Sequence, residues 1–112
     1  SSFCCAKATA KTILDHTPDT VTFVITGLGE NGMGDEDIAC ADYLEALLQG
    51  HQPTPEPFLM RVRESIVGQL FLNPSFPELP VDDLPCCTDL DRFDFAMLVR
   101  RVNGLLVMKP AQ

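Results

Sequence analysis

A glycine-rich stretch that runs directly into three consecutive acids is the part of this sequence best suited to chemistry. Residues 27–34 contain four glycines and are followed by Asp35, Glu36 and Asp37. Carboxylate oxygens beside backbone carbonyls are hard donors, which suit Mg²⁺ when it keeps several waters and also contacts a phosphate. Asp35, Glu36 and Asp37 are therefore candidate Mg²⁺ ligands. The alternative is that these acids only offset the dipole at a helix start, and the residue pattern leaves both interpretations open.

The elements on either side of this stretch would place it at the edge of a sheet. Residues 20–26 are a β-branched run bounded by Gly27, which predicts a buried strand. Residues 36–49 carry an apolar stripe at helical spacing, and Gly50 marks the end of the predicted helix. Open α/β sheets bind ligands at the carboxyl ends of their strands, which is where this loop would lie.

The rest of the chain predicts two more helices and a hairpin. Apolar spacing indicates a helix over residues 6–14, with Ser1 or Ser2 as its N-cap, and Thr54-Pro55-Glu56 opens a helix that extends to about residue 70. Asn103-Gly104 is typical of a two-residue hairpin turn between residues 95–102 and 105–108. The order α, β, α, α, β, β predicts a layered α/β unit.

Residues 1–112 are expected to form one α/β domain, because a chain of 112 residues closes a single core. Its three predicted strands are few for three helices, so the sheet looks incomplete. The chain also starts at Ser1 and not at a methionine. We expect an upstream half or a partner chain to supply the missing strands, although a processed or engineered terminus would equally explain Ser1.

Composition excludes several classes of protein. Eight Lys and Arg against sixteen Asp and Glu give a net charge of -8, so binding to nucleic acid is not expected. Apolar runs fall far short of the roughly 20 residues that cross a bilayer, so no membrane span is expected. Five cysteines, four of them in adjacent pairs, do not suggest a disulfide framework. With no secretory signal at Ser1, a reducing, cytoplasmic location is expected.

Other motifs with catalytic meaning fail on inspection. Cys86 and Arg92 have the C-x5-R spacing of cysteine-dependent phosphatases, but the residues between them include two carboxylates and no glycine, which would repel a phosphate. The sequence has no G-x-x-x-x-G-K-[ST], no G-x-S-x-G and no H-E-x-x-H. It also has no C-x2-C pair for a structural zinc site.

Three stretches in this order resemble the C-terminal half of the 2-phosphosulfolactate phosphatase family. Residues 2–10 (SFCCAKATA) are similar to the family's Ser-Phe-x-Asn-Ala-Ser-Ala segment at the start of a helix. Residues 25–27 (ITG), the loop and residues 36–41 (EDIACA) resemble its strand, glycine and Glu-Asp-x-x-Cys-Ala helix start. Residues 91–95 (DRFDF) resemble its C-terminal Asp-Arg-Phe-Asp-Phe.

This resemblance implies a three-layer α/β/α fold with a mixed sheet and a C-terminal β-hairpin, of which the chain would be an incomplete half. The implied activity is Mg²⁺-dependent hydrolysis of 2-phosphosulfolactate, a small phosphorylated sulfonate, to 3-sulfolactate and phosphate, as in coenzyme M biosynthesis. The chain departs from the family at Cys5, where Asn is usual, and at Lys7, where a small hydroxyl residue is usual.

The resemblance also implies roles for particular residues. Glu36 and Asp37 would be the catalytic residues that hold Mg²⁺, and water would be the nucleophile. Implied substrate contacts come from the start of the first helix, the end of the strand and the C-terminal motif: Ser2, Cys5, Lys7, Gly27 and Arg92. For Arg92, an internal ion pair with Asp91 or Asp94 is the alternative. The rival to an enzyme is a noncatalytic module that assembles with another chain, as a homo-oligomer or with the missing N-terminal half.

Overall fold

The structure is a computed structural model that describes residues 1–27 and 34–111. These residues combine helices with one antiparallel sheet, which confirms mixed α/β content but does not establish a three-layer arrangement. Residues 28–33, the centre of the predicted glycine loop, lie outside the described residues. After a short 3-10 helix over Phe3–Cys5 come α1 (Ala6–Asp15), α2 (Asp35–Leu48), α3 (Glu56–Glu64), α4 (Ile66–Phe71), α5 (Asp83–Cys87), β1 (Ala96–Val102) and β2 (Leu105–Ala111).

The core lies where α1, α2 and α3 pack together. Tyr43 of α2 is its central side chain, because its ring centroid lies 5.7 Å from that of Phe3 and 5.3 Å from that of Phe58. Ala6 and Ala39 are completely buried, which lets the backbones of α1 and α2 approach closely. The buried members of this core are Phe3, Ala6, Ala10, Ala39, Tyr43, Leu44, Leu59 and Val62.

The single helix predicted from residue 54 to about residue 70 is in fact two helices. Ser65 leaves the helical conformation with ψ 157°, which ends α3 and starts α4. Its hydroxyl donates to the carbonyl of Val62 at 2.7 Å and accepts from the backbone N–H of Gly68 at 2.9 Å. A Cβ at position 68 would lie 2.2 Å from the Val62 carbonyl, so this break requires glycine there. Ser favours such a cap over a helix interior.

The prediction of a buried strand at residues 20–26 is wrong for the structure described. The segment forms no strand, and Val24 is 81% exposed. A strand must exchange backbone hydrogen bonds with a neighbour, and the described residues place none beside this segment. Its β-branched residues therefore favour a strand, but the segment does not form one.

The predicted C-terminal hairpin is confirmed. β1 pairs antiparallel with β2, and Val102 lies opposite Leu105 across a two-residue turn. Asn103 and Gly104 both have positive φ, at 51° and 83°, as a type I′ turn requires. Large apolar side chains of the hairpin are exposed, including Leu106 at 68%.

Four prolines lie within residues 73–85, and the chain forms one turn of helix, α5, from Asp83. Backbone hydrogen bonds then dock the following residues onto the N-terminus of the chain: Asp91 N–H donates to the Phe3 carbonyl at 3.0 Å and Phe93 N–H to the Cys4 carbonyl at 2.8 Å. Among the helices described, none is long and apolar enough to cross a membrane.

Candidate functional site

Glu36 lies in the first turn of α2 and has an unusual carboxylate. Its Oε2 atom is buried and has no hydrogen-bond partner among the described residues. A buried carboxylate oxygen without a partner costs free energy, since water has been removed and nothing replaces it. If the acid served only to offset the helix dipole, it could do so while solvated. The placement of Glu36 therefore favours a role in binding a ligand over a role in offsetting the helix dipole.

Asp37, by contrast, already has a structural role. Its Oδ2 atom accepts hydrogen bonds from the Thr26 hydroxyl and from the Gly27 backbone N–H, both at 3.2 Å. These two contacts tie the first turn of α2 to the end of the extended segment. The resemblance implies that Asp37 holds the metal, and the sequence pattern does not reveal this pairing.

The two ends of the glycine-rich loop meet at this point. A Cβ on Gly34 would lie 2.8 Å from the Ile25 side chain and 3.6 Å from the Gly27 Cα, so a larger residue would require the Ile25 side chain to shift. Gly27 has φ 55°, a left-handed conformation that suits glycine. The predicted site residue Gly27 thus lies beside Asp37. Gly27 and Gly34, which flank residues 28–33, lie close to each other.

The start of α1 holds the predicted substrate residues Ser2 and Cys5. Cys5 is buried at the N-cap position, where its Sγ accepts from the Thr9 hydroxyl at 3.6 Å and contacts the Ser2 carbonyl at 3.8 Å. Burial raises the pKa of the Cys5 thiol, but the hydrogen bonds with Thr9 and Ser2 outweigh burial and leave the pKa below its ordinary value. Ser2 is exposed at the start of the 3-10 helix, so the predicted serine caps of α1 are wrong.

Lys7 lies one residue into α1 with an exposed side chain. Its backbone N–H donates to Oδ1 of Asp91 at 2.7 Å, so a carboxylate of the C-terminal motif already occupies part of this helix N-terminus. Asp91 holds φ 52°, a left-handed backbone that aims its side chain at the helix. This cap is a structural contact that the sequence pattern does not reveal, although the DRFDF motif contains the residue.

Arg92 is an exposed cation at the same end of the molecule. Its Nη1 donates to Oδ2 of Asp89 at 2.8 Å, which confirms an internal ion pair but with Asp89 and not with Asp91 or Asp94. The hydrogen bond and the charge of Asp89 raise the pKa of Arg92. A guanidinium has five N–H donors, so this pair leaves donors for an anionic ligand.

Cys40, one turn into α2, lies between these two groups of residues. Burial raises the pKa of its thiol to about 11, with smaller contributions from the charges of Cys5 and Asp37. It lines a cleft of about 480 Å³ with the extended segment, and Ser1, Thr9 and Asp37 supply polar atoms around it. The thiol stays protonated at neutral pH, as expected for a small buried hydrophobe and not a nucleophile.

The described residues do not bring a complete metal centre together. Within residues 1–27 and 34–111, no group of three or more His, Cys, Asp or Glu side chains is arranged to hold a metal ion. Mg²⁺ needs only one or two protein carboxylates when waters and substrate phosphate complete its octahedron. The buried, unpartnered oxygen of Glu36 fits that partial ligand set, and Asp37 is its neighbour in sequence.

Comparison with known proteins gives one informative match. The chain is 30% identical over 95 residues to a probable 2-phosphosulfolactate phosphatase of Bacillus subtilis (strain 168). The match covers 82% of this chain but only 42% of the relative, so the chain spans less than half the length of that protein. No family model matches the chain, and no solved structure matches it.

Proposed function

We propose that this chain belongs to the 2-phosphosulfolactate phosphatase family, corresponds to its C-terminal half and contributes to a Mg²⁺-dependent phosphoric monoester hydrolase. The observation that carries the proposal is the 30% identity to the Bacillus protein across 82% of the chain. The substrate class would be a small phosphorylated sulfonate such as 2-phosphosulfolactate. A three-layer α/β/α arrangement with a mixed sheet is part of this proposal.

The orphaned oxygen of Glu36 supports a metal at the start of α2. Glu36 would ligate Mg²⁺ directly, and Asp37 would act from the same helical turn while its Oδ2 holds the Thr26 hydroxyl and the Gly27 N–H. When bound, Mg²⁺ would neutralise charge on the phosphoryl group in transfer. The hydrogen bonds of Asp37 would keep the end of the extended segment beside that group.

The cations at the start of α1 would orient the anionic substrate. The Lys7 ammonium is exposed, and in the described residues no carboxylate forms a salt bridge with it. Arg92 would offer its remaining N–H donors to a sulfonate or phosphate. Ser2 would add a hydroxyl. Because the chain has a net charge of -8, these local positive groups matter for attracting a polyanion.

Phosphate release tests the assigned roles. We expect the full chain to release phosphate from 2-phosphosulfolactate with Mg²⁺ and to lose this activity with EDTA. Glu36→Gln should reduce kcat at least tenfold, because the amide retains size but loses the charge that binds the metal. Glu45→Gln, an exposed position on the same helix, is the matched control and should leave turnover unchanged. Metal-dependent turnover that is equal in all three proteins would remove the role of Glu36.

A second candidate function is a noncatalytic assembly module, favoured by the unpaired segment and the exposed hairpin. Val24 and Leu106 are 81% and 68% exposed, although both belong to runs of strand-forming residues. An isolated two-stranded hairpin is marginal in water, so its apolar faces would be covered by a second copy or by an N-terminal half.

Sedimentation at micromolar concentration tests this assembly. We expect a dimer or a larger species, and the exposed pair Leu106→Ser with Met108→Ser should shift the population toward monomer. The buried Ala96→Ser change on the inner face is the control for nonspecific loss of the hairpin. A wild-type chain that stays monomeric would contradict assembly through a second copy.

A further inference from the structure

Three of the five cysteines come together at the surface where α5 meets the N-terminal 3-10 helix. The Cys4 thiol donates to the backbone carbonyl of Cys86 at 3.1 Å, and Cys87 is the next residue. Cys86 and Cys87 are exposed, Cys4 is half-buried, and all three are free thiols. This group, the three-thiol cluster, is reachable by a small oxidant and has no part in the proposed hydrolysis.

Backbone contacts hold the cluster together independently of the thiols. Phe93 N–H donates to the carbonyl of Cys4 at 2.8 Å, and Asp91 N–H donates to the carbonyl of Phe3 at 3.0 Å. The Lys7 N–H to Asp91 Oδ1 contact at 2.7 Å adds a third connection. The segment that carries Cys86 and Cys87 is thus held beside the turn that carries Cys4, and nearby backbone is a condition for disulfide formation.

The two elements that carry the cluster are packed against each other. The 3-10 helix that carries Cys4 contacts α5, which carries Cys86 and Cys87. The pKa of Cys87 is raised, first by burial and then by the charge of Cys4, which agrees with this packing.

We propose that the three-thiol cluster is an oxidation site at which Cys4 forms a disulfide with Cys86 or Cys87 when the protein meets a peroxide. One thiolate attacks a peroxide oxygen, the O–O bond breaks, and a sulfenic acid and water result after proton uptake. A second thiol then attacks the sulfenic sulfur, the S–O bond breaks, and a second water leaves as the S–S bond forms. The two thiols are oxidised and the peroxide is reduced.

This disulfide would connect two parts of the candidate substrate site, one from the C-terminal part of the chain and one from its N-terminus. It would fasten α5 and the following Arg92 to the turn before α1, which carries Ser2 and Cys5. Cys86 and Cys87 are less suited to pair with each other, because adjacent residues of a helix point about 100° apart at 3.6 residues per turn. The inference does not depend on phosphatase activity.

Peptide mapping without reduction tests the proposal. The folded full chain is treated with dilute hydrogen peroxide, remaining thiols are alkylated, and cross-linked peptides are identified by mass spectrometry. We expect most of the protein to lose two hydrogen atoms, to contain a peptide that links Cys4 to Cys86 or Cys87, and to recover its mass with dithiothreitol. Cys4→Ser keeps a hydrogen-bond donor for the Cys86 carbonyl and should abolish the link.

Matched variants make the outcome decisive. Cys40→Ser removes a thiol outside the cluster and should retain the link, whereas the double change Cys86→Ser with Cys87→Ser alters only exposed positions and should abolish it. A wild-type protein that forms only Cys86–Cys87 links, only links between molecules, or only sulfinic acid would overturn the proposal.

Discussion

The helical core and the strand-forming segments of this protein differ sharply in how deeply their apolar side chains are buried. In the core, Tyr43 is 5% exposed and its ring packs between those of Phe3 and Phe58. In the extended segment, Val24 is 81% exposed, and on the hairpin Leu106 is 68% exposed. Both regions are rich in apolar side chains, so composition does not explain the difference.

Backbone hydrogen bonding explains it. A helix satisfies its own N–H and C=O groups, so α1, α2 and α3 need only side-chain packing to become a core. A strand depends on a neighbour, and the described part of the chain supplies one only for β1 and β2. The comparison implies that stability resides in the helices, while the extended segment and the hairpin hold surface for further contacts.

The largest expected effect separates these two regions directly. Tyr43→Ala should lower the free energy of unfolding by about 3 kcal/mol, because it removes an aromatic side chain from the centre of the core. Leu106→Ala should change it by less than about 0.5 kcal/mol, because most of that side chain is already in water. Urea unfolding of both variants measures the contrast. Equal losses would mean that the hairpin is as much a part of the stabilising core as the helices are.

Sequence patterns predicted well the elements that rest on local signals, and less well those that depend on contacts with other parts of the chain. The apolar stripe of α2 and the Asn103-Gly104 turn are local signals, and both elements form where expected. The β-branched run at residues 20–26 predicts strand propensity, but whether it pairs depends on a neighbour that no local pattern reveals. The break at Ser65 was missed because it rests on the contact between Gly68 and the Val62 carbonyl.

An intermediate effect concerns Cys40, which borders both regions. Its pKa is raised from 9.0 to about 11 by burial, so the folded state holds the proton more tightly than the unfolded state. This contribution to stability is complete below pH 9 and is lost as the pH rises toward 11. Between pH 8 and 10 the wild type should lose about 1 kcal/mol more than Cys40→Ala. Urea midpoints at both pH values provide the measurement, and parallel losses would contradict a buried, protonated thiol.

An effect of similar size tests the contact that joins the C-terminal motif to the helical core. Asp91→Ala should cost about 1 kcal/mol, because it removes the carboxylate that accepts from the Lys7 N–H. Asp91→Asn should retain part of this stability, since an amide oxygen still accepts. Asp94→Ala, an exposed neighbour in the same motif, is the control. If Asp91→Ala and Asp94→Ala unfold at the same urea concentration, the cap has no energetic role.

The candidate site was only partly accessible from sequence for the same reason. Its acids could be named because they follow one another in the chain. Among them, Glu36 has a buried carboxylate oxygen without a hydrogen-bond partner in the described residues, which is the oxygen proposed to bind the metal ion. The cap that Asp91 provides for α1 depends on how the last part of the chain folds back onto its start, whereas Asp89, the partner of Arg92, lies only three residues away. A contact between residues 84 positions apart leaves no periodic signal in the residues that make it.

Calorimetric titration of Mg²⁺ into the full chain tests directly the proposal that Glu36 binds a divalent ion. We expect saturable heat for the wild type and for Glu45→Gln, and at least tenfold weaker binding for Glu36→Gln. Identical isotherms for wild type and Glu36→Gln, or no heat with any of these folded proteins, would contradict it.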